Sequence, residues 1–250
     1  MEYQRLIPDP ATVDSTELLR DLGLGARAPA ERPFVAVNFA ATVDGRIALG
    51  GRSGAIGDDG DTEVFRRLRT QADALLVGTG TLAAEQYSRP IRRAELRAAR
   101  EAIGLAPVPP LVVIARSGRL PLEIPLFQDP DAHAIVYTEV ATEPPAVPAR
   151  VELQRIDPAA GEPTLTAALR HLRREHGVRS LLCEGGPQLL SGLLHEGLVD
   201  ELFLTVAPQL AGGGGEPTLT GGTALPSPAE LTLVWALERR GSLYLRYAID

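Results

Sequence analysis

The chain of 250 residues contains one cysteine, and that scarcity excludes two kinds of site. Cys183 alone can form neither a disulfide within the chain nor a zinc cluster of several thiolates. The four histidines, His133, His171, His176 and His195, show no ligand spacing with carboxylates, so we expect no metal site. The dispersed positions of these histidines also disfavour catalysis by a serine or cysteine nucleophile, which needs an orienting base beside it. Catalysis by a bound organic cofactor agrees better with this composition than catalysis by a metal ion or a nucleophilic side chain.

The sequence also lacks an excess of positive charge and a long apolar run. Its 25 Lys and Arg residues face 32 Asp and Glu residues, which gives a formal net charge of −7 and argues against a nucleic-acid partner. No window approaches the roughly 18 apolar residues of a membrane-spanning helix, and the first residues do not resemble a signal peptide. We therefore expect a cytoplasmic protein that acts on a small molecule, without nucleic acid or membrane partners.

Alternating strand and helix patterns predict an α/β fold. Strand-like runs occupy residues 33–40, 72–78, 110–115, 133–138, 151–156, 179–185 and 201–208, and helical patterns occupy residues 61–70, 164–175 and 186–195. This alternation predicts a mixed, mainly parallel sheet with helices on both faces. Two alternating runs around a short turn near the C-terminus predict an antiparallel hairpin. Residues 1–33, with a helical pattern at 15–22, are interpreted as an N-terminal arm, and residues 34–250 as one domain.

The first of three candidate phosphate-binding junctions is the segment LLVGTGTLAAE. Glycine lets backbone N–H groups approach a pyrophosphate, and a helix start favours anions. The acidic partner of the standard Rossmann fingerprint, about 20 positions later, is missing. The junction is therefore either a cofactor-binding turn of another fold or a tight turn that requires glycine. Its candidate cofactor-binding residues are Gly78, Thr79, Gly80 and Thr81.

The second junction, SLLCEGGPQLLSGLL, places two glycines between a strand and a helix. Gly185 and Gly186 leave amide donors exposed to an anion, and Pro187 suits the first helical position. Glu184 is either a surface acid or a functional carboxylate at a strand end, where ligands bind in α/β sheets. We predict that Glu184 orients the substrate or relays a proton. Asp44 is the second candidate catalytic acid, although an Asp-Gly pair is also a ready turn.

The third junction, VVIARSGRL, carries Arg116, Ser117 and Arg119 after a strand. A guanidinium fork with a hydroxyl suits a phosphate monoester, which in a dinucleotide site is the 2′-phosphate of NADP. The alternative is a pair of solvated surface arginines. The pattern favours NADPH over NADH.

Four segments together resemble one known family: NFAATVDGRIALGGRSG, FRRLRTQADALLVGTGTLAAE, LCEGGPQLLSGLL and LVDELFLTVAPQLAGGG. In order and spacing they are similar to the reductase domain of the riboflavin-biosynthesis deaminase-reductase family and its stand-alone relatives. The resemblance covers residues 33–249. It implies a dihydrofolate-reductase-like fold, a homodimer, and NADPH-dependent reduction of a pyrimidine such as 5-amino-6-(5-phosphoribosylamino)uracil. The zinc-binding motif of the fused deaminase is missing, so we expect that domain to be absent.

The resemblance also implies residue roles. The cofactor side would include Ala40, Thr81, Glu85 and residues 186–192, among them Pro187, Gln188 and Leu189. The substrate side would include Asn38, Ser53, Arg69 and Glu184. Arg69 would pair with the substrate phosphate, unless it is a solvated helix residue. The apolar strand at residues 201–208 is a candidate dimer surface.

This sequence departs from the family pattern at three places. The family usually has a lysine where Asn38 stands, an aspartate where Glu85 stands, and Asp-Pro where Gln86 and Tyr87 stand. Losing the lysine removes a cation from the centre of the site and would weaken the binding of an anionic substrate. Two other functions therefore remain open. One is a pterin or folate reductase of the same fold, with an apolar pocket and one buried acid, and the other is a nucleotide-binding regulatory module without turnover.

Overall fold

The protein is built around a mixed 11-stranded sheet. Its structure is a computed structural model that describes residues 1–157 and 161–249. The strands are β1 (Glu2–Ile7), β2 (Ala11–Asp14), β3 (Phe34–Thr42), β4 (Ala74–Gly78), β5 (Leu111–Ile114), β6 (His133–Thr138), β7 (Arg150–Arg155), β8 (Ser180–Cys183), β9 (Glu201–Ala207), β10 (Leu231–Arg239) and β11 (Ser242–Ile249). The helices are α1 (Ser15–Leu18), α2 (Asp59–Arg69), α3 (Thr79–Ala84), α4 (Ala94–Glu101), α5 (Thr164–Glu175) and α6 (Pro187–His195), with a 3-10 turn at Leu24–Arg27.

The sheet has a parallel part and an antiparallel part. Its order is β2-β1-β10-β11-β9-β3-β8-β4-β5-β6-β7, and every neighbouring pair from β9 to β7 is parallel. The remaining strands pair antiparallel, and β10 and β11 form the predicted C-terminal hairpin. Arg240 and Gly241, the two turn residues, have φ angles of 53° and 84°, as a tight two-residue hairpin turn requires.

Helices cover both faces of the sheet, because each face carries its own apolar core. Val64 and Leu68 of α2 pack into one core, and Leu169 of α5 and Leu193 of α6 pack into the other. The central strands are therefore buried on both sides, which is why they read as continuous apolar runs. The predicted α/β mixed sheet, with helices on both faces and a C-terminal hairpin, is confirmed.

The N-terminal residues contribute two strands that the sequence analysis did not predict. β1 pairs with β10, and the buried Tyr3 donates its hydroxyl to the carbonyl of Gly60 at 2.9 Å. Most other side chains of β1 are exposed or partly exposed, so no apolar alternation marks it as a strand. Residues 2–14 thus extend the sheet, and the division into an arm and a domain at residue 34 stays a prediction. Asp250, the last residue of that predicted domain, lies outside the described residues.

The strand β9 lies inside the sheet, because it pairs with β11 on one side and with β3 on the other. The homodimer and its candidate surface at residues 201–208 both stay predictions. One smaller expectation is corrected. Helix α2 begins at Asp59 rather than Asp61, because the carboxylate of Asp58 accepts from the Asp61 amide at 2.8 Å and caps the helix.

Two kinds of feature are absent from residues 1–157 and 161–249. None of the helices there is long and apolar enough to cross a membrane. In the same ranges, no cluster of three or more His, Cys, Asp or Glu side chains is placed to hold a metal ion.

Candidate active site

The predicted junctions meet in a cleft of about 1330 Å³ at the carboxyl ends of β3, β4, β5 and β8. This is where ligands bind in open α/β sheets, because the strand-to-helix turns collect there. Most of the predicted site residues line it: Asn38, Ala40, Ser53, Arg69, Gly78, Thr79, Gly80, Thr81, Glu85, Arg116, Ser117, Glu184, Gly185, Gly186, Pro187, Gln188 and Leu189. Asp44 and Arg119 do not belong to its lining.

The first two glycine junctions touch each other. The amide of Gly78, at the end of β4, donates to the carbonyl of Gly185 at 2.9 Å. Gly185 has a φ of +106°, a conformation that other residues rarely adopt. A Cβ on Gly186 would lie 2.7 Å from the hydroxyl oxygen of Thr81. Glycine is therefore required for the two turns to pack together and expose their backbone to the cleft.

Helix α6 points its N-terminus into the cleft. Gly186 is its N-cap and offers no side chain to the first amides, and the first helical hydrogen bond runs from Leu190 to Gly186. Pro187 has no N–H, so Gln188 and Leu189 carry the free amides of the first turn. Both residues line the cleft. These donors and the field of the helix suit the phosphates of a dinucleotide, so the residues present fit that group.

The third junction is only partly in the cleft. Arg116 and Ser117 line its rim, and both are exposed. The Nε of Arg116 lies 3.3 Å from a carboxylate oxygen of Glu139, so part of its charge is already offset. Arg119 is exposed and lies outside the lining. Arg116 is therefore the arginine of this pair that can meet a phosphate in the cleft.

Glu184 is the centre of a three-residue cluster. Nε and Nη2 of Arg69 donate to its two carboxylate oxygens, each at 2.7 Å, and the hydroxyl of Tyr87 donates at 2.7 Å to the second. The Glu184 side chain is 1% exposed. Burial, with the negative charge of Glu184, raises the pKa of Tyr87 well above its usual value of 10.0, so its hydroxyl stays protonated.

The contacts in this cluster bear on the roles expected for Arg69 and Glu184, which stay predictions. Arg69 was predicted to bind the substrate phosphate, yet Nη1 also donates, to the carbonyl of Pro90 at 3.0 Å. Each guanidinium nitrogen already has an acceptor, and the charge is matched by Glu184. Glu184 itself meets the cleft as part of an ion pair rather than as a lone acceptor. Tyr87 was noted only as a departure from the family pattern, and nothing local to it indicates a partner 97 positions away.

Ser53 and Glu85, predicted on opposite sides of the site, bind each other. The amide and the hydroxyl of Ser53 donate to one carboxylate oxygen of Glu85, at 2.8 and 2.9 Å. The bond ties the loop after β3 to the residue that ends α3. It therefore closes one wall of the cleft.

Asp61 is a cleft residue that sequence reasoning missed, since the helical pattern at residues 61–70 marked it only as the start of a helix. Its carboxylate accepts from the hydroxyl of Thr205 at 2.6 Å. Burial raises its pKa, an effect that the Thr205 bond reduces. The signal was present in the sequence: Asp61, Phe65 and Arg69 are four residues apart on one helix and line the cleft together.

Asp44, the second predicted catalytic acid, braces two loops instead. It accepts from the Thr42 hydroxyl at 2.6 Å and from the amides of Ala211 and Gly212 at 3.1 and 2.7 Å. The Thr42 hydroxyl and these amides lower the pKa of Asp44 to about 2. The geometry gives no support to a catalytic role for Asp44.

The family described as RibD C-terminal domain matches residues 33–241 of this chain. The chain belongs to this family. Two curated relatives are named 2,5-diamino-6-ribosylamino-4(3H)-pyrimidinone 5′-phosphate reductase. The protein of Archaeoglobus fulgidus is 35% identical over 76% of this chain and 87% of its own length. That of Methanothermobacter thermautotrophicus is 31% identical over 80% of this chain and 88% of its own.

Solved structures show the same fold as this RibD-type domain. A pyrimidine reductase-like protein of Corynebacterium diphtheriae has a TM-score of 0.77 at 22% identity, over 95% of this chain and 99% of its own. A deaminase/reductase of Thermotoga maritima has a TM-score of 0.66 at 26% identity, over 88% of this chain and 57% of its own. The predicted membership and the dihydrofolate-reductase-like fold are thus confirmed. A reductase family of riboflavin biosynthesis implies a nicotinamide cofactor.

One departure from the RibD-type pattern leaves the site less positive. Asn38, where the family usually has a lysine, is buried on β3 and lines the cleft. Its amide offers a neutral donor and acceptor in place of a charge. Arg69 and Arg116 are the two arginines among the described lining residues, and each faces a carboxylate.

Proposed function

We propose that the protein is an NADPH-dependent reductase of a ribosylaminopyrimidine 5′-phosphate in riboflavin biosynthesis. The substrate is 5-amino-6-(5-phosphoribosylamino)uracil or its 2,5-diamino-pyrimidinone counterpart, the compound in the names of both relatives. One observation carries the proposal: a single cleft joins glycine junctions suited to phosphates with the polar face of α2 and the Glu184 cluster. Family membership supports the same reaction.

In this proposal one side of the cleft binds the cofactor and the other binds the pyrimidine. The junction at Gly78, the N-terminus of α6 and the rim at Arg116 would hold a dinucleotide through backbone amides and one guanidinium. A nicotinamide cofactor held there would supply the hydride that reduces the ribose carbon to a ribityl carbon. The face of α2 with Asp61 and Phe65 lies beside it and would hold the pyrimidine.

Glu184 acts in this proposal as a positioning residue. By binding Arg69 and Tyr87 at once, it holds the end of β8, the C-terminal turn of α2 and the segment after α3 in one arrangement. Reduction by hydride transfer depends mainly on holding the donor against the acceptor carbon, where small displacements cost rate. The cluster of Glu184, Arg69 and Tyr87 at the strand ends would keep the parts of the site in fixed positions.

The test is a turnover assay on the purified chain. NADPH is mixed with each candidate ribosylaminopyrimidine phosphate, and the absorbance of the reduced nicotinamide is followed. Consumption of NADPH with formation of the ribityl product supports the proposal. Cofactor binding without turnover of any pyrimidine or pterin would favour the nucleotide-binding module instead.

A pterin or folate reductase is the second candidate, and Asp61 is the observation that favours it. Such an enzyme needs an apolar pocket and one buried acid to hold the pteridine ring, and the partly buried Asp61 lines the cleft together with the apolar Phe65. Dihydrofolate in the same assay separates the two. Turnover of dihydrofolate without turnover of either pyrimidine phosphate would replace the proposal.

A further inference from the structure

The acids that line the cleft differ in how fully they are paired. Glu184 binds Arg69, Glu85 accepts twice from Ser53, and Glu196 accepts from the amide and hydroxyl of Thr166 at 2.7 and 2.8 Å. Asp61 has a single donor, since its Oδ1 accepts from Thr205, and its Oδ2, like Oε2 of Glu85, has no donor among the described side chains and amides. Asp61 is thus the cleft acid with the fewest donors.

The structure holds this carboxylate against the wall of the cleft. A Cβ on Gly57 would lie 2.2 Å from Oδ2 of Asp61, so the loop before α2 passes directly against this carboxylate. Gly57 and Asp61 both line the cleft. One turn further along α2 is Phe65, whose ring supports the guanidinium of Arg69 at 4.2 Å. The face therefore presents a carboxylate, an aromatic ring and an arginine whose charge is already matched.

A partly buried carboxylate with one neutral donor favours a ligand that supplies N–H groups. Burial without enough donors is costly for a charged group, and a charge-assisted bond offsets that cost. A 2-amino-4-oxopyrimidine places a ring N–H beside an exocyclic NH2, so two donors point the same way. The corresponding uracil replaces the NH2 by a carbonyl oxygen, an acceptor that would face the carboxylate.

We propose that Asp61 determines pyrimidine specificity in this cleft, by accepting from the ring N–H and the 2-amino group of a 2-aminopyrimidin-4-one and rejecting the uracil. The inference rests on the proposed function, because it takes the pyrimidine to lie on the α2 side of the cleft. It names the substrate class of that site: the diamino-pyrimidinone phosphate, rather than the deaminated uracil that the sequence resemblance suggested.

The test compares two substrates and three proteins. The kcat/KM with NADPH is measured for 2,5-diamino-6-ribosylamino-4(3H)-pyrimidinone 5′-phosphate and for 5-amino-6-(5-phosphoribosylamino)uracil. We expect the wild type to prefer the first by about 100-fold or more, which is less than the roughly 10⁴-fold of a fully buried unpaired group because Asp61 is only partly buried. Asp61→Asn keeps an acceptor for Thr205 and adds a donor for a carbonyl, so the preference should fall at least about 10-fold, mostly through the loss of one charge-assisted bond.

Glu63→Gln is the matched control. Glu63 is on the same helix and also loses a carboxylate, but its partners are Arg67 and Ser15, outside the cleft lining. Its substrate preference should equal that of the wild type. Binding of NADPH should be the same in all three proteins.

Calorimetric titration of both pyrimidine phosphates into the protein with oxidised NADP gives the same preference without turnover. A wild type that binds both equally, or prefers the uracil, overturns the inference even if Asp61→Asn does not fold. A variant that folds and keeps the wild-type preference overturns it too. Failure of the proposed function gives a different result, namely no turnover of either pyrimidine, while the binding preference still tests Asp61.

Discussion

Arg69 and Glu184 form a two-pronged ion pair, with Nε and Nη2 each 2.7 Å from a separate carboxylate oxygen. The pair joins the C-terminal turn of α2 to the residue that follows β8, in the floor of the cleft. The guanidinium also lies over the ring of Phe65. The side chain of Arg69 is only 15% exposed, so its charge depends on this carboxylate more than on water.

Glu184→Gln should therefore reduce both stability and turnover. The variant leaves the buried Arg69 charge without a partner, and breaking a buried pair in this way costs about 3–5 kcal/mol. We expect the free energy of unfolding to fall by that order in urea titrations, and turnover to fall by roughly 100-fold because the residues of the site are displaced. NADPH affinity should stay nearly unchanged.

The control for that substitution is a double-mutant cycle with Arg69→Met. Removing both charges leaves no unpaired buried charge. The double variant should therefore lose less free energy of unfolding than the sum of the losses in the two single variants. Strict additivity, or a Glu184→Gln protein with wild-type turnover, would show that the pair does not hold the site.

Arg116→Ala should weaken NADPH binding and leave NADH binding unchanged. Arg116 lines the rim of the cleft, and only NADPH carries a 2′-phosphate for it to bind. Because Arg116 is exposed and faces Glu139, we expect a loss of about 10-fold or less in equilibrium titrations. Arg119→Ala is the matched control, since Arg119 lies outside the lining. Equal affinity of the wild type for the two cofactors would contradict the assignment.

Gly186→Ala should impair cofactor binding. The added Cβ would lie 2.7 Å from Oγ1 of Thr81, so one of the two junctions must move away from the other. We expect a clear rise in the Kd for NADPH, partly reversed in the double variant with Thr81→Ala. Gly213→Ala, where a Cβ meets nothing within 4 Å, controls for the substitution itself. An unchanged Kd in Gly186→Ala would mean that the cofactor does not use this contact.

Asp61→Asn should become more stable relative to the wild type as the pH rises. Burial raises the pKa of Asp61 in the folded protein above its ordinary value of 3.8, so the folded state holds its proton to higher pH. As the pH rises from the pKa of Asp61 in the unfolded chain to its higher pKa in the folded protein, the wild type loses stability. Above the pKa in the folded protein the loss is complete. Asparagine has no such titration. The free energy of unfolding, measured for both proteins from acid to neutral pH, should show the advantage of Asp61→Asn over the wild type increasing with pH.

Asp44→Asn provides a control of opposite sign. Hydrogen bonds from Thr42 and two amides lower the pKa of Asp44 to about 2, so its contribution is present above 3.8 and is lost as the pH falls toward 2. The variant should therefore be the less stable protein at neutral pH and approach the wild type in acid. Turnover should change little, because Asp44 is outside the cleft lining. If both variants showed the same trend, the burial argument for Asp61 would be wrong.

The sequence determined the features that depend on neighbouring residues. The predicted helix at residues 164–175 and the predicted strand at 133–138 have the same bounds in the structure. Gly177 and Gly197 follow the ends of α5 and α6 with positive φ angles, the conformation that glycine adopts most readily after a helix. Apolar periodicity and glycine conformation act within a few residues, so a single sequence reports them directly. The parallel order of the strands then places their carboxyl ends, and the candidate residues there, at one edge.

Only the tertiary structure decided which side chains meet at that edge. Arg69 and Glu184 are 115 positions apart, and no local pattern predicts that they neutralise each other rather than bind a phosphate and a substrate. In the sequence Asp61 only begins a helical pattern and Asp44 precedes a glycine, yet folding puts Asp61 in the cleft and Asp44 between two loops. The role of a charged side chain is set by the donors, burial and solvent around it, and long-range packing supplies all three.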